Sequence, residues 1–153
     1  MHQGETPMPA ETDLIELYSK RILALAAAMP RTGRLPAPDG TGKVRAPLCG
    51  STVTVDLTLD AGRVADYAQD VRACALGQAA ASVVGDNIIG QDRATLQRAR
   101  DELAAMLRDG GPPPTAPFDG LAVLEPARDY RNRHASILLA LDATLAAFDD
   151  AAA

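Results

Sequence analysis

Two cysteines, Cys49 and Cys74, are the residues of this 153-residue chain whose types and settings are best suited to chemistry. Cys49 is followed by Gly50, which lets the backbone bend sharply beside the thiol. Cys74 lies where a strand-like pattern gives way to a helical one. A thiol at a helix N-terminus faces free N–H groups and the positive end of the helix dipole, which lower its pKa and favour its use as a ligand or nucleophile. The alternative is that the two are unrelated buried thiols.

The segments between and beside these cysteines alternate between apolar and polar residues, which predicts strands at 51–59 and 63–71 joined by a tight turn. A third strand could come from Lys43–Ala46. In an antiparallel hairpin the start of one strand lies beside the end of the next. We therefore expect Cys49 and Cys74 to meet at one end of the sheet.

His134 is the third candidate, near the start of the last predicted helix. An exposed histidine beside arginines is the simpler interpretation of such a position. If His134 reaches the two thiols, the donors become two sulfurs and one imidazole, a set that suits zinc or an iron–sulfur cluster. The fourth donor could be water, Ser51, Asp129 or a group from a partner.

Apolar residues recur at helical spacing elsewhere in the chain. The predicted helices lie at 13–28, from 74 to between 85 and 89, at 92–108, and from 131–133 to about 149, with a loop or short helix near 121–124. We expect a flexible tail at 1–11 and a single domain at 12–150. A helix followed by a small sheet and then by helices predicts an α+β fold, with helices packed on one face of a three-stranded antiparallel sheet.

The overall composition argues against several classes of function. The formal net charge is −5, which provides no basic face for a nucleic acid. No apolar run approaches the roughly 20 residues needed to cross a bilayer, and the first residues lack the features of a signal peptide. We therefore expect a cytoplasmic protein that binds no membrane, in which a disulfide is the less expected use of the cysteines. Gly40-Thr41-Gly42-Lys43 lacks the spacing of a phosphate-binding loop.

Several motifs resemble those of the U-type iron–sulfur cluster assembly scaffolds, the family of NifU N-terminal domains, IscU and SufU-like proteins. The resemblance extends from about Leu17 to Ala147. Leu17-Tyr18 with Pro30-Arg31-Thr32-Gly33 resembles the opening helix and loop of the family. Ala46-Pro47-Leu48-Cys49-Gly50 resembles the motif around the first ligand cysteine, and Cys74–Ser82 resembles the motif around the second. Arg133–Ala140 resembles the motif around the third.

This resemblance implies a non-catalytic scaffold or carrier with the α+β fold of the family. Cys49 and Cys74 would be ligands of a nascent [2Fe–2S] cluster or of iron, with zinc as a possible surrogate. Arg133 would stand at the basic position before the third family cysteine. Sulfur would come from a pyridoxal-phosphate cysteine desulfurase, and the cluster would pass to iron–sulfur acceptor proteins. A monomer and a homodimer are both compatible with the sequence.

The chain departs from the family pattern at two ligand positions. Ser51 stands where the family has an aspartate after Cys-Gly, and the third cysteine is absent. One register places Ser136 at the third cysteine and His134 one residue away from the family histidine. The other places His134 on that histidine and Ala135 on the cysteine. Ser51 and Ser136 would be weak ligands, because a serine oxygen is a poor substitute for a thiolate toward soft metals.

Three hypotheses follow from these residues. The first is a cluster or metal carrier that uses Cys49, Cys74 and His134. The second is a degenerate, metal-free relative that serves as a binding or regulatory module in the same pathway. The third is an enzyme in which Cys74 acts as a sulfur-accepting or redox nucleophile beside His134.

Overall fold

A computed structural model describes residues 19–153 and confirms the α+β class. The expected tail at 1–11 and the expected start of the first helix at residue 13 lie outside the described residues. In chain order the elements are α1 (Lys20–Ala27), β1 (Gly40–Arg45), β2 (Thr52–Asp60), β3 (Arg63–Arg72), α2 (Ala75–Asn87), α3 (Arg93–Asp109), a 3-10 helix (Asp119–Asp129) and α4 (Arg131–Ala152). No helix within 19–153 is long and apolar enough to span a bilayer.

The three strands form one antiparallel sheet in the order β1-β2-β3. Its alternation matches the sequence pattern, since Val53, Val55 and Leu57 of β2 are buried in the core. The predicted third strand is confirmed but begins at Gly40 rather than Lys43. At one end of the hairpin Thr52 is paired with Arg72. The residues just outside these two, which lead to the cysteines, therefore lie side by side.

Helix α4 packs against β1 and β2 on the apolar face of the sheet. The approach is close because Gly40 and Gly42 present no side chain to the helix. A Cβ atom at either glycine would overlap backbone atoms of Ala143 or Ala147. The glycines that superficially resemble a phosphate loop in the sequence thus serve strand-to-helix packing.

Two helical segments differ from the sequence expectation. Helix α1 begins at Lys20, because the backbone of Ser19 is extended and its Oγ accepts the Ile22 N–H at 3.3 Å, which caps the helix. The prediction of an uninterrupted helix over 13–28 is therefore wrong at Ser19. The segment near 121–124 is an eleven-residue 3-10 helix. Leu121, Leu124 and Ala127 are buried in it at a spacing of three, which matches three residues per turn.

The opposite face of the sheet carries one buried carboxylate, Asp56 of β2. Arg34 donates to it from Nε and Nη2 at 2.6 and 3.2 Å, and Thr41 Oγ1 and the Leu35 N–H donate at 2.6 and 3.0 Å. Burial alone would raise the pKa of Asp56, but these donors outweigh it and hold the pKa below its usual value. The loop that precedes β1 is thereby tied to the sheet.

Replacing Asp56 with asparagine should lower the free energy of unfolding by about 2 kcal/mol at pH 7, because the groups that donate to this buried carboxylate lose a charged acceptor. The folded-state pKa of Asp56 is depressed, so its contribution is present above the unfolded-state pKa of about 3.9 and is lost as the pH falls through the folded-state value. Urea unfolding between pH 7 and pH 2 should therefore show a weaker acid dependence in the variant. Asp60→Asn, at the exposed end of the same strand, is the matched control, and an equal loss of stability there would contradict the assignment.

Candidate metal centre

Cys49 lies on the turn that joins β1 to β2. The Ala46 N–H donates to the Ser51 carbonyl at 2.8 Å, and the Gly50 N–H donates to the Ala46 carbonyl at 3.0 Å, so the turn is closed by two backbone hydrogen bonds. Gly50 has φ of +71°, a conformation that glycine adopts without strain. The turn leaves the Cys49 side chain exposed to solvent.

Cys74 is the N-cap residue of α2, as the sequence predicts, and is half-buried. Burial raises the pKa of its thiol. The neighbouring N–H groups of Gly77 and Leu76, the Ser136 hydroxyl and Arg133 all favour the thiolate and oppose that effect, so the pKa of Cys74 is lowered on balance. The helix N-terminus therefore acts on this sulfur as the sequence suggested.

Two serines connect the cysteines. Cys49 Sγ lies 3.2 Å from Ser51 Oγ, Ser136 Oγ donates to Ser51 Oγ at 3.1 Å, and Cys74 Sγ lies 3.7 Å from Ser136 Oγ. Ser51 and Ser136 are both buried. Gly77 allows α4 to approach at this point, since a Cβ there would lie 2.9 Å from Ser136 Oγ. The two thiols thus stand at the ends of one hydrogen-bonded chain.

Ser51 is the serine that acts most strongly on Cys49. Ser136 Oγ donates to Ser51 Oγ, and in the Cys49–Ser51 and Cys74–Ser136 contacts either atom could donate. The Ser51 hydroxyl, followed by the Ser51 N–H, lowers the pKa of Cys49. Ser51 therefore favours the thiolate form of the exposed Cys49.

Comparison with known families and structures identifies the architecture around these residues. Residues 17–135 match the model of the NifU-like N terminal domain. The chain belongs to this family. No curated protein matches it.

Two solved structures show the same fold as this NifU-like domain. One, at 44% identity and a TM-score of 0.88, is described as a nitrogen-fixing NifU-like protein (N-terminal) from Brucella abortus, and the match covers 92% of this chain and 97% of that one. The other comes from Fervidobacterium islandicum AW-1 and is described as a putative iron–sulfur cluster assembly scaffold protein for the SUF system. It has 19% identity and a TM-score of 0.77, with 88% and 98% of the two chains covered.

The structure of this NifU-like domain does not bring His134 to the thiols. His134 Nε2 lies 3.1 Å from the Ala127 carbonyl and 2.9 Å from the Arg128 carbonyl. Two residues along an α-helix project to nearly opposite sides, so Ser136 faces the cysteines while His134 faces away. Within 19–153 no three or more His, Cys, Asp or Glu side chains are grouped as a metal site.

Of the two registers left open by the sequence, the structure favours the one in which Ser136 stands at the third position. Ser136, rather than Ala135, is the α4 residue that hydrogen-bonds toward both cysteines. In the sequence, this register follows from aligning Leu139-Ala140 with the Leu-Ala pair of the third family motif. The other predicted fourth donor, Asp129, lies in a separate concavity among arginines.

The hydrogen bond from Ser51 should make Cys49 unusually reactive. We expect the pH midpoint for its alkylation by iodoacetamide, followed by mass spectrometry, to lie below the value of about 8.5 for a free cysteine. Ser51→Ala should move this midpoint upward, because the thiolate loses its donor. Thr58→Ala, in β2 but far from the turn, should leave it unchanged. If Ser51→Ala leaves the pH midpoint of Cys49 alkylation unchanged, the Ser51 hydroxyl does not act on the sulfur.

Proposed function

We propose that this NifU-like domain is an iron–sulfur cluster assembly scaffold or carrier that holds its cargo, a [2Fe–2S] cluster or iron, through Cys49 and Cys74. The observation that carries the proposal is the Cys49–Ser51–Ser136–Cys74 chain, which unites at one sheet end two thiols that are 25 positions apart in sequence. Membership in the NifU-like family and the scaffold description of the Fervidobacterium protein support it.

The donor set fits a soft metal incompletely. Two thiols with lowered pKa values are suitable ligands for iron or zinc, because such ligands must be deprotonated. The oxygens of Ser51 and Ser136 are adjacent but weak donors. The remaining ligands would therefore come from water, a second copy of the chain or a partner, which suits cargo that is held loosely and passed on.

The surroundings of Cys49 support a role with partners. Leu48, the preceding residue, is 78% exposed, which is unusual for a large aliphatic side chain. A cysteine desulfurase that delivers sulfur and acceptor proteins that take the cluster would both need access to this turn. The family resemblance supports a cytoplasmic, non-catalytic protein.

A second candidate function is a metal-free binding or regulatory module. Ser51 and Ser136, the two serines between the cysteines, favour this alternative. Each stands where the family pattern has a stronger metal ligand. The two candidates differ in one measurable property, the retention of metal.

Anaerobic reconstitution with ferrous iron and sulfide tests the proposal. Wild type should develop visible charge-transfer absorption with iron and sulfide bound, and Cys49→Ala and Cys74→Ala should each abolish most of it. His134→Ala is the control, because its ring is hydrogen-bonded to backbone carbonyls away from the thiols. Absence of metal from wild type would leave the metal-free module, and retention of metal in both cysteine variants would show that Cys49 and Cys74 do not hold the cargo.

A further inference from the structure

The sheet face opposite α4 forms a polar groove at the end nearest the thiols. It encloses about 490 Å³, within the usual range of roughly 300–1,000 Å³ for small-molecule sites. Three cations, three threonines and one carboxylate line it: Arg34, Lys43, Arg72, Thr41, Thr52, Thr54 and Asp70. Lys43, Thr54 and Asp70 form one cross-strand row, because Thr54 pairs with both of the others.

The cations of this groove keep donors free for a ligand. Asp56 occupies Nε and Nη2 of Arg34 and leaves Nη1. Arg72 is 3.7 Å from Asp70, a distant and exposed pair that contributes little. Lys43 forms no ion pair with any carboxylate of residues 19–153. Guanidinium, ammonium and hydroxyl groups around one concavity are the donors that bind phosphate or carboxylate oxygens.

The charge of the groove is opposite to that of the whole chain. The chain has a formal net charge of −5, whereas cations outnumber carboxylates on the lining. A negatively charged protein repels anions in general, so a local excess of positive charge is where an anion is attracted most strongly. We propose that the groove binds a small polyanion with two or more phosphate or carboxylate groups.

This site is distinct from the proposed cluster site and does not depend on it. Thr52 and Arg72 close the groove where β2 and β3 meet, next to Ser51 and Ala73, but no cysteine lines it. A polyanion bound there would lie beside the thiols without using them. Variants at Cys49 and Cys74 should therefore leave anion affinity unchanged, so failure of one proposal is distinguishable from failure of the other.

Calorimetric titration of the wild-type protein at low salt with inorganic pyrophosphate, and separately with citrate, tests the proposal. At least one of the two should bind with a saturable 1:1 isotherm. The double variant Lys43→Gln/Arg72→Gln should weaken that binding by about tenfold or more, because two charge-assisted contacts are lost. Lys20→Gln/Arg21→Gln removes the same two charges from α1 and should change the affinity less than about twofold.

The comparison between the two anions identifies the ligand chemistry. Preference for pyrophosphate indicates a phosphate ligand, preference for citrate indicates a polycarboxylate, and equal binding indicates recognition of charge alone. Absence of saturable binding of both anions up to about 10 mM, far weaker than a typical metabolite site, would overturn the proposal. An equal loss of affinity in the groove variant and the α1 variant would overturn it as well, since the attraction would then be nonspecific.

Discussion

Ser136→Cys should raise the affinity of the protein for zinc on the order of 100-fold, because it adds a third thiolate to the two of the proposed site. Ser136 Oγ is already 3.7 Å from Cys74 Sγ and 3.1 Å from Ser51 Oγ, which itself contacts Cys49. The change is nearly isosteric, so the fold should persist. Competition with a chromophoric chelator measures the effect.

The control for this gain is Ser82→Cys. Ser82 is also a buried serine, but its hydroxyl forms no hydrogen bond within the described part of the chain, and it lies later in α2. A thiol there adds a cysteine without adding a ligand, and zinc affinity should stay at the wild-type level. If Ser136→Cys binds zinc no more tightly than Ser82→Cys, Ser136 does not occupy a ligand position.

Gly42→Ala should destabilise the protein by about 3 kcal/mol or more, an overpacking cost at the upper end of the usual range. The new Cβ would overlap the Ala143 carbonyl oxygen and lie 2.5 Å from the Ala147 nitrogen. These are backbone atoms of α4, so no side-chain rotation can relieve the clash, and either β1 or α4 must move. The melting temperature should fall by about 10 °C.

Gly111→Ala provides the comparison, because a Cβ there meets its nearest atoms at 3.4 Å, an ordinary contact. Its melting temperature should remain within about 2 °C of wild type. Since β1 leads into the turn that carries Cys49 and α4 carries Ser136, Gly42→Ala should also weaken metal binding in the folded fraction. A fully stable Gly42→Ala protein would contradict the close packing of β1 on α4.

The sheet and the meeting of the cysteines could be predicted from the sequence because both follow from local rules. Alternation over 51–59 and 63–71 specified two strands, and antiparallel pairing alone then placed Cys49 near Cys74. The N-cap position of Cys74 followed from the change of period after β3. None of these inferences depends on the rotation of α4 about its own axis.

The orientation of α4 could not be predicted in the same way. Which side of a helix faces a site depends on its packing, and a shift of one residue rotates the side chain by about 100°. His134 and Ser136 were therefore both plausible, and only the three-dimensional structure shows that Ser136 faces the thiols. The burial of Asp56 was hidden for a related reason. Its place in the alternation assigns it to the polar face, and only the path of the 31–39 loop covers it.

X-ray absorption at the zinc edge, recorded on protein loaded with one equivalent of zinc as a surrogate for iron, tests the ligand assignment most directly. Cys49 and Cys74 should together provide two sulfur scatterers at about 2.3 Å, the usual Zn–S distance, and Cys49→Ser or Cys74→Ser should reduce the number to one. A spectrum of the wild-type protein with only nitrogen and oxygen scatterers would show that the two thiols do not share a metal ion.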